Sequence, residues 1–302
     1  MSHRLKKLSE QVVVITGASS GIGLATAEAA AEQKAKLVLA ARSEAALRDI
    51  VARITAGGGE AVAVTCDVSD RAQVEAVAAA AVQRFGRIDT WVNNAGIGIY
   101  GRLDEVSEED HRRVFDVNYF GLVNGSLAAL PHLKKSGGAL INVGSEVSES
   151  AFPLLGSYVA SKHAVKGFTD SLRIEVEDVD RAPVSITLIQ PTAVDTPFPE
   201  HAGNYLPNEP KLPDPKIDPR QVAEAILDAA QNPTRDKRVG TMAKVSTTLA
   251  TLFPSLGDRM AAGQVGNLST DRPGRRHDGI LRRSSEAATT AAGRTHGTPA
   301  PK

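Results

Sequence analysis

The chain of 302 residues is poor in cysteine and in aromatic residues, and it carries no net charge. Its one cysteine, Cys66, can form neither an internal disulfide nor a zinc site with other cysteines, so a disulfide-stapled scaffold is excluded and no metal centre is expected. Aromatic residues make up 4% of the chain, so the core must be built mainly from Ala, Val, Leu and Ile. Lys plus Arg and Asp plus Glu each number 35, which gives no global electrostatic reason to bind nucleic acid or an anionic membrane.

Long apolar runs are missing as well. No uncharged run approaches the ~20 apolar residues of a membrane span. The charges near the first residues are not followed by an apolar stretch of signal-peptide length. Hydrophobic residues are nevertheless 42% of the chain, which excludes wholesale disorder. The sequence therefore predicts a soluble, cytoplasmic, globular protein without a membrane span and without nucleic-acid binding.

Short aliphatic runs alternate with Ala-rich helical segments over most of the chain. The runs have the length and the β-branched content of strands buried on both faces, and they are residues 12–15, 36–41, 61–66, 88–92, 139–143 and 184–189. The segments between them favour helices, among them 107–135 and 157–179. This βαβ alternation predicts an α/β fold with a parallel sheet and helices on both faces. A further short run, 238–242, is a candidate edge strand.

The alternation stops at a proline-rich segment. Eight prolines fall between Pro191 and Pro219, so this segment is predicted to be a long irregular loop. A loop of that length inside a domain is often functional, which makes 191–219 the candidate substrate loop. A last helix is expected to start at Pro219, capped by Asp218, and to reach about Gln231.

The composition changes again at Asp258. From there to Lys302 the chain consists mostly of Ala, Thr, Gly, Ser, Pro and Arg, with an excess of basic over acidic residues and few large apolar ones. Such a segment buries too little apolar area to offset its ordering entropy. The folded domain is therefore predicted at 1–257, and 258–302 is expected to be a disordered, solvated tail.

A glycine-rich turn, Thr16-Gly-Ala-Ser-Ser-Gly-Ile-Gly23, joins the first strand to a helix. Gly17 permits the tight turn, Gly21 lets backbone N–H groups approach a pyrophosphate, and Gly23 lets the helix pack close to the strand. The spacing differs from the common G-x-G-x-x-G fingerprint, yet its place after a buried first strand favours phosphate binding over an ordinary turn. The candidate contacts in this turn are Thr16, Gly17, Ser19, Ser20, Gly21, Ile22 and Gly23.

The ends of the next strands indicate which dinucleotide binds. The second strand is followed by Arg42, whereas an NAD site would place an acidic residue there to bind the ribose 2′-OH. A guanidinium can pair with the 2′-phosphate of NADP and stack on the adenine. The sequence therefore favours NADP(H) over NAD(H), against the alternative that Arg42 is a solvated surface residue. Asp67, followed by Val68, ends the third strand and is placed to reach the adenine. The contacts expected after the fourth strand, beside the adenosine ribose, are Asn94, Ala95 and Gly96.

Ser145 closes the fifth strand, and Tyr158 and Lys162 follow it at helical spacing. Residues i and i+4 share one helix face, so the Lys162 ammonium is expected beside the Tyr158 phenol. The positive charge favours the phenolate and is expected to lower the pKa of Tyr158 from about 10, which would make it usable as a proton donor and acceptor. Taken alone, the pair is better explained by a packed tyrosine and a solvated lysine.

The complete set of motifs resembles that of the short-chain dehydrogenase/reductase family. It comprises Thr16-Gly-Ala-Ser-Ser-Gly-Ile-Gly23, Asn93-Asn-Ala-Gly96, Asn118, Ser145 and Tyr158-Val-Ala-Ser-Lys162, in this order and at matching distances. The resemblance covers about residues 10 to 245. It implies a Rossmann-like, doubly wound parallel sheet in a single domain. It also implies a homodimer or homotetramer, formed through the helices before and after the fifth strand.

The resemblance assigns a role to each motif residue. By it, Ser145 orients the substrate oxygen, Tyr158 is the general acid/base, and Lys162 binds the nicotinamide ribose and tunes Tyr158. Asn118 would hold a water in a proton relay to Lys162. The family's Pro-Gly turn after the sixth strand reads Pro191-Thr192 here, with Thr192 in place of the usual glycine. The contacts expected from this turn near the nicotinamide are Pro191, Val194 and Thr196.

The reaction implied by the resemblance is reversible hydride transfer between the nicotinamide C4 of NADP(H) and a carbonyl or alcohol carbon of a small molecule, with reduction as the expected direction. The apolar segment 151–155 would suit a hydrophobic alcohol or ketone, and Glu146 and Glu149 are expected to point to solvent. Two alternatives use the same fold. A sensor that binds NAD(P) without chemistry typically loses the tyrosine or the lysine. An epimerase or dehydratase usually needs a larger C-terminal substrate domain.

Overall fold

A parallel sheet of seven strands forms the centre of the computed structural model, which describes residues 5–284 and Ala291. The strands in chain order are β1 (Val12–Thr16), β2 (Lys36–Ala41), β3 (Glu60–Thr65), β4 (Thr90–Asn93), β5 (Ile99–Tyr100), β6 (Ala139–Val143), β7 (Ser185–Pro191), β8 (Gly203–Asn204), β9 (Asn208–Pro210), β10 (Asp236–Val239) and β11 (Ser269–Pro273). The central sheet has the order β10-β7-β6-β4-β1-β2-β3. Every neighbouring pair in it is parallel, so the carboxyl ends of these strands open at one edge.

Helices cover both faces of the sheet. They are α1 (Gly21–Glu32), α2 (Glu44–Ala56), α3 (Arg71–Phe85), α4 (Glu108–Phe115), α5 (Gly121–Ser136), α6 (Gly156–Arg173), α7 (Phe198–His201), α8 (Pro219–Ala229), α9 (Thr241–Leu252) and α10 (Pro254–Gly263). The N-caps follow the sequence: Asp70 accepts hydrogen bonds from the first turn of α3, and Asp218 caps α8 directly before Pro219. The predicted α/β fold, a doubly wound parallel sheet, is confirmed.

Two long predicted helices and the edge strand differ in detail from the expectation. The segment 107–135 is divided by a π-helical turn at Asp116–Phe120, and the predicted helix 157–179 ends in another at Ile174–Val179. The edge strand lies at Asp236–Val239 instead of 238–242, because Gly240 turns the chain and α9 begins at the next residue.

The core has two layers, one on each face of the sheet. On one side, α1, α2 and α8 bury aliphatic side chains such as Leu24, Ile50 and Ile226. On the other side, α3, α5 and α6 bury aliphatic side chains together with the single tryptophan, Trp91. Val, Leu, Ile and Ala make up almost all of both layers, as expected from the aromatic-poor composition, and the alanines of α1 and α8 let these two helices pack against each other.

The proline-rich segment 191–219 is only partly irregular. It contains the short helix α7 and the strands β8 and β9, and β8 pairs in parallel with β5. β9 in turn pairs antiparallel with β11, which lies beyond the end expected for the domain. The segment therefore connects the carboxyl edge of the central sheet to the C-terminal part of the chain.

The C-terminal part differs from the expectation of a tail that starts at Asp258. Residues up to Ser284 form α10, β11 and a final irregular segment, residues 277–284, which we call the C-terminal strap. Two leucines in this part, Leu268 and Leu281, are completely buried and fix it to the domain. The rest of the expected tail, apart from Ala291, lies outside the described residues. Within the described part of the chain, no helix is long and apolar enough to cross a membrane.

Candidate active site

A cavity of about 610 Å³ lies at the carboxyl edge of the central sheet. The candidate contacts named from the sequence line this cavity, except for Thr16, Gly23 and Asn118, which lie behind its wall. Those that line it are Gly17, Ser19, Ser20, Gly21, Ile22, Arg42, Asp67, Val68, Asn94, Ala95, Gly96, Ser145, Tyr158, Lys162, Pro191, Val194 and Thr196. The fold thus brings together residues from the ends of six strands, β1, β2, β3, β4, β6 and β7, and from α6.

The glycine-rich turn is fixed to the end of β4 by polar contacts. The Asn94 side chain donates hydrogen bonds to the carbonyl oxygens of Thr16 (3.1 Å) and Gly17 (3.2 Å). The Thr16 hydroxyl oxygen accepts from the backbone N–H groups of Asn94 (3.1 Å) and Ala95 (3.2 Å). Thr16 therefore acts as a support behind the cavity wall.

The turn can exist only because its glycines have no side chain. Gly17 has φ +66°, and a Cβ there would lie 2.7 Å from the Cα of Ala95. A Cβ on Gly23 would lie 2.2 Å from the carbonyl oxygen of Gly17. Helix α1 follows at once, and its N-cap residue Ser20 makes no side-chain capping bond within the described structure. The first N–H groups of α1 are thus left for another acceptor, and helix N-termini attract anions.

A cluster of charged side chains lies at the far end of the cavity, beyond β2 and β3. Asp67 accepts hydrogen bonds from Ser69 N–H (3.0 Å), the Ser69 hydroxyl (2.7 Å) and Arg113 Nη2 (2.6 Å). Burial alone would raise the pKa of Asp67, but these hydrogen bonds outweigh it and the pKa is lowered. Burial lowers the pKa of Arg42, while the charge of Asp67 opposes that effect. Sequence reasoning missed Arg113, because it belongs to no motif and reaches the site only through the fold.

Ser145, Tyr158 and Lys162 meet at the opposite end of the cavity. Lys162 is 4% exposed, its Nζ lies 5.6 Å from the centroid of the Tyr158 ring, and it donates a 2.8 Å hydrogen bond to the carbonyl oxygen of Val143. Burial raises the pKa of Tyr158 to about 12, although a hydrogen bond from Ser145 acts in the opposite direction. Burial also lowers the pKa of Lys162 to about 8.

The expected lowering of the Tyr158 pKa by Lys162 is therefore wrong for the protein alone. Removal of the phenol from water disfavours the phenolate more strongly than the hydrogen bond from Ser145 favours it. The Lys162 ammonium is directed to Val143 and lies against the ring rather than the hydroxyl. Helical spacing correctly predicted that Tyr158 and Lys162 are neighbours, but it could not predict how deeply they are buried.

Asn118 lies directly behind the cavity, within the π-helical turn. Its Oδ1 accepts from Ile97 N–H (2.8 Å), and its Nδ2 donates to the Ile97 carbonyl (2.9 Å) and to the Ser161 hydroxyl (3.0 Å). A Cβ placed on Gly96 would lie 3.5 Å from Asn118 Oδ1 and 3.9 Å from Lys162 Nζ. Asn118 Oδ1 and Lys162 Nζ thus lie on the same side of Gly96, the side on which any other residue would carry its side chain.

Two acidic residues that were expected to point to solvent are instead held by polar partners. Glu146 accepts hydrogen bonds from the hydroxyls of Thr192 (3.1 Å) and Ser246 (2.9 Å), and burial raises its pKa. Glu149 accepts from Gln190 (3.1 Å) and pairs with Arg238 (2.7 Å). The expectation for both acids is wrong, because α9 and β10 cover this side of the site.

The wall beside Tyr158 is apolar. The ring of Phe198 meets the Tyr158 ring edge to face, with the centroids 5.2 Å apart. Phe152 and Leu155 also line the cavity next to Tyr158. An apolar wall beside two hydroxyl groups is typical of a site that binds a small molecule with one polar group.

Comparisons with known proteins agree with this geometry. The family model described as short chain dehydrogenase matches residues 11–204. The chain is 46% identical over 260 residues to "Uncharacterized oxidoreductase YxnA" of Bacillus subtilis (strain 168), an alignment that covers 85% of this chain and 73% of that protein. The chain belongs to the short-chain dehydrogenase/reductase family, and it is an oxidoreductase of the class that acts on CH–OH and C=O groups.

Solved structures show the same relationship. An alcohol dehydrogenase from the archaeon Thermococcus sibiricus, complexed with 5-hydroxy-NADP, is 33% identical with a TM-score of 0.67, over 76% of this chain and 94% of that one. A short-chain dehydrogenase/reductase from Burkholderia phymatum, in complex with NAD, is 29% identical with a TM-score of 0.74, over 84% of this chain and 96% of that one.

Proposed function

We propose that the chain is an NADP(H)-dependent oxidoreductase that reduces the carbonyl group of a small apolar molecule reversibly. The observation that carries the proposal is one continuous cavity with the glycine-rich turn near its middle, Arg42 at one end and Ser145 with Tyr158 at the other. Relatives of known structure contain 5-hydroxy-NADP or NAD, which supports a nicotinamide dinucleotide as the cofactor of this chain as well.

The residues of the cavity fit such a cofactor. The turn has no side chain at Gly17 and Gly21, and it leads into the start of α1, whose N–H groups are not capped by a side chain. A pyrophosphate needs such a close backbone approach and such free N–H groups. Arg42 would bind the 2′-phosphate, and Lys162 would bind the nicotinamide ribose. The remaining contacts are proposed for Asp67 and Val68 at the adenine, for Asn94, Ala95 and Gly96 at the adenosine ribose, and for Pro191, Val194 and Thr196 at the nicotinamide. When bound, the cofactor supplies or accepts the hydride.

The side chains of this protein handle the proton and the developing charge. Because the pKa of Tyr158 is about 12, the phenol keeps its proton at neutral pH and can donate it to the substrate oxygen. Ser145 donates a hydrogen bond to the same oxygen, which stabilises the negative charge as it develops. The protonated phenol is the form that reacts in reduction, and the phenolate is the form that reacts in oxidation. Asn118 and Lys162 are proposed to return a proton to Tyr158 through a water.

The substrate proposal follows from the apolar wall. Phe152, Leu155 and Phe198 surround the position that a substrate carbon would occupy beside Tyr158. Burial of apolar substrate surface against these side chains contributes roughly 25 cal/mol per Å². Hydrophobic ketones and aldehydes are therefore the proposed substrates.

The catalytic role is tested with Tyr158→Phe, which removes one hydroxyl and leaves the ring in place. NADPH consumption is measured against a panel of ketones, aldehydes and quinones, and NADPH affinity is measured by fluorescence titration. We expect at least a ~100-fold loss of kcat, as for removal of a general acid, with NADPH affinity changed less than about threefold. Tyr119→Phe, a tyrosine outside the cavity, serves as the control. Undiminished turnover in Tyr158→Phe would refute the assignment.

Cofactor choice is tested with Arg42→Asp. A carboxylate at this position repels a 2′-phosphate and can accept from a 2′-OH, so the ratio of kcat/KM for NADPH to that for NADH should fall. Arg48→Asp introduces the same charge change on the exposed face of α2 and should leave the ratio unchanged. An unchanged ratio in Arg42→Asp would mean that Arg42 does not discriminate between NADPH and NADH.

We also propose that the chain forms a homodimer or homotetramer through α5 and α6, the helices on either side of β6. The large apolar side chains of Phe120, directly before α5, and Leu127, within it, are 52% and 44% exposed. Light scattering coupled to size exclusion would give the mass in solution, and Leu127→Glu should reduce it to that of one chain.

A further inference from the structure

The C-terminal strap lies across the end of the cavity that holds Arg42. Ile280 and Ser284, both in the strap, contribute to the cavity lining. Arg42 donates from Nη2 to the carbonyl oxygen of Ile280 (2.5 Å) and from Nη1 to that of Leu281 (3.3 Å). A guanidinium carries more N–H groups than two carbonyls can use, so Arg42 keeps donors for a further acceptor.

The same backbone holds a second guanidinium. The Leu281 carbonyl oxygen also accepts from Arg113 Nε (2.8 Å), and Arg113 Nη2 pairs with Asp67 at 2.6 Å. One carbonyl of the strap therefore joins the two arginines and, through Arg113, the carboxylate of Asp67. With two guanidinium groups and one carboxylate, this cluster has a net positive charge that suits an anion at its open side.

The strap is fixed by contacts that do not involve Arg42. The Leu281 side chain is completely buried, and Ile280 N–H donates to the His201 carbonyl (2.8 Å) in α7. His277 exchanges backbone hydrogen bonds with Asn204, and Arg282 pairs with Asp110 in α4. Since these anchors set the path of the strap independently, the strap positions Arg42 and not the reverse.

We propose that the C-terminal strap is a specificity-determining part of the cofactor site, which holds the Arg42 guanidinium in place for the 2′-phosphate of NADP(H). The inference rests on the proposed function. An arginine side chain that is free to rotate loses conformational entropy when it binds an anion, and the strap removes that loss before the cofactor arrives. NADH has no 2′-phosphate, so its binding should depend little on the strap.

The strap can be displaced at Gly279. This residue has φ +52°, and a Cβ there would lie 2.3 Å from the His201 carbonyl oxygen, so Gly279→Val must move the strap away from α7. Gly266→Val is the matched control, because a Cβ at Gly266 meets no atom within 4 Å in the described structure. Arg282→Gln is a milder second variant, which removes the ion pairs of Arg282 with Asp110, Glu109 and Asp278 and leaves Gly279 and Leu281 unchanged.

The readout is the dissociation constant of each cofactor in the full-length chain, measured by fluorescence titration without substrate. We expect Gly279→Val to weaken NADPH binding about tenfold and NADH binding less than about twofold. Arg282→Gln should weaken NADPH binding about threefold, and Gly266→Val should change neither constant. Equal losses for both cofactors, no loss for NADPH, or tighter NADPH binding would each overturn the proposal.

Arg42→Gln separates this proposal from the proposed function. If wild-type protein does not prefer NADPH, the proposed NADP(H) specificity fails together with the role of the strap. If Arg42→Gln weakens NADPH binding while Gly279→Val does not, the specificity stands and the role of the strap is refuted. In the double variant, Arg42→Gln should cost less than it does alone, because both changes remove the same interaction.

Discussion

Replacement of Lys162 by Met should make the cofactor-free protein more stable while it removes activity. The ammonium of Lys162 is almost completely buried, and burial lowers its pKa from 10.5 to about 8. At neutral pH this difference corresponds to about 3 kcal/mol of folding free energy lost by burial of the charge. Methionine has a similar length and needs no hydration, so this loss disappears in the variant.

One contact is lost in the exchange. Lys162 Nζ donates to the Val143 carbonyl oxygen at 2.8 Å, and removal of a buried donor of this kind costs about 1 kcal/mol. The net gain expected at pH 7 is therefore about 2 kcal/mol. For a domain of this size, that corresponds to a rise in Tm of about 5 °C.

The gain should depend on pH in a defined direction. Below about pH 8, Lys162 is protonated in both the folded and the unfolded chain, so the full cost of burial is present. Between pH 8 and 10.5 the folded chain releases the proton and the unfolded chain keeps it, so the wild-type protein recovers stability as pH rises. The advantage of Lys162→Met should shrink accordingly.

The assay is thermal unfolding, followed by circular dichroism, of cofactor-free protein at pH 7 and pH 9. Lys134→Met, a change at an exposed site on α5, is the control and should shift Tm by less than about 1 °C at both pH values. The reasoning is refuted if Lys162→Met is less stable than wild type at pH 7, or if its gain is the same at both pH values.

Two further predictions concern the walls of the cavity. Gly23→Ala should destabilise the chain by about 2 kcal/mol or more, because its Cβ would lie 2.2 Å from the Gly17 carbonyl oxygen. Denaturant titration measures this loss of stability. The control is Gly167→Ala in α6, where the added Cβ meets open space, and it should be neutral or stabilising. Glu146→Gln removes a negative charge that raises the pKa of Tyr158, so the alkaline limb of the pH profile of kcat/KM should move to lower pH. An alkaline limb at the same pH as in the wild-type protein would show that the charge of Glu146 does not act on Tyr158.

The sequence predicted the central sheet well because its strands are specified locally. β1, for example, is an uninterrupted aliphatic run that is buried along its whole length, and the βαβ connections leave few choices of strand direction. The neighbourhood of Tyr158 and Lys162 followed in the same way from helical spacing. Their pKa values did not, since these depend on burial by distant segments such as α7.

The ordered part beyond residue 257 could not be predicted from local patterns. Ile280 and Leu281 are the only two large apolar residues of the strap, and Leu281 stabilises the strap because the fold buries its side chain near Gly203 and Ile99. The partner of Arg282, Asp110, is equally distant in sequence. A composition argument averages over such anchors and therefore predicted disorder from Asp258 onward.

Thr192 shows how a departure from the family pattern is accommodated by residues elsewhere in the chain. Its hydroxyl donates to Glu146, which also accepts from Ser246 in α9. A Cβ on Gly240 would lie only 2.5 Å from the methyl carbon of Thr192. Gly240 also has φ +93°. A side chain at position 240 would therefore meet both a steric and a conformational penalty. Thr192 thus adds a steric reason to the conformational one for glycine directly after β10, so Gly240→Ala should stay unfavourable even when Thr192 is replaced by glycine.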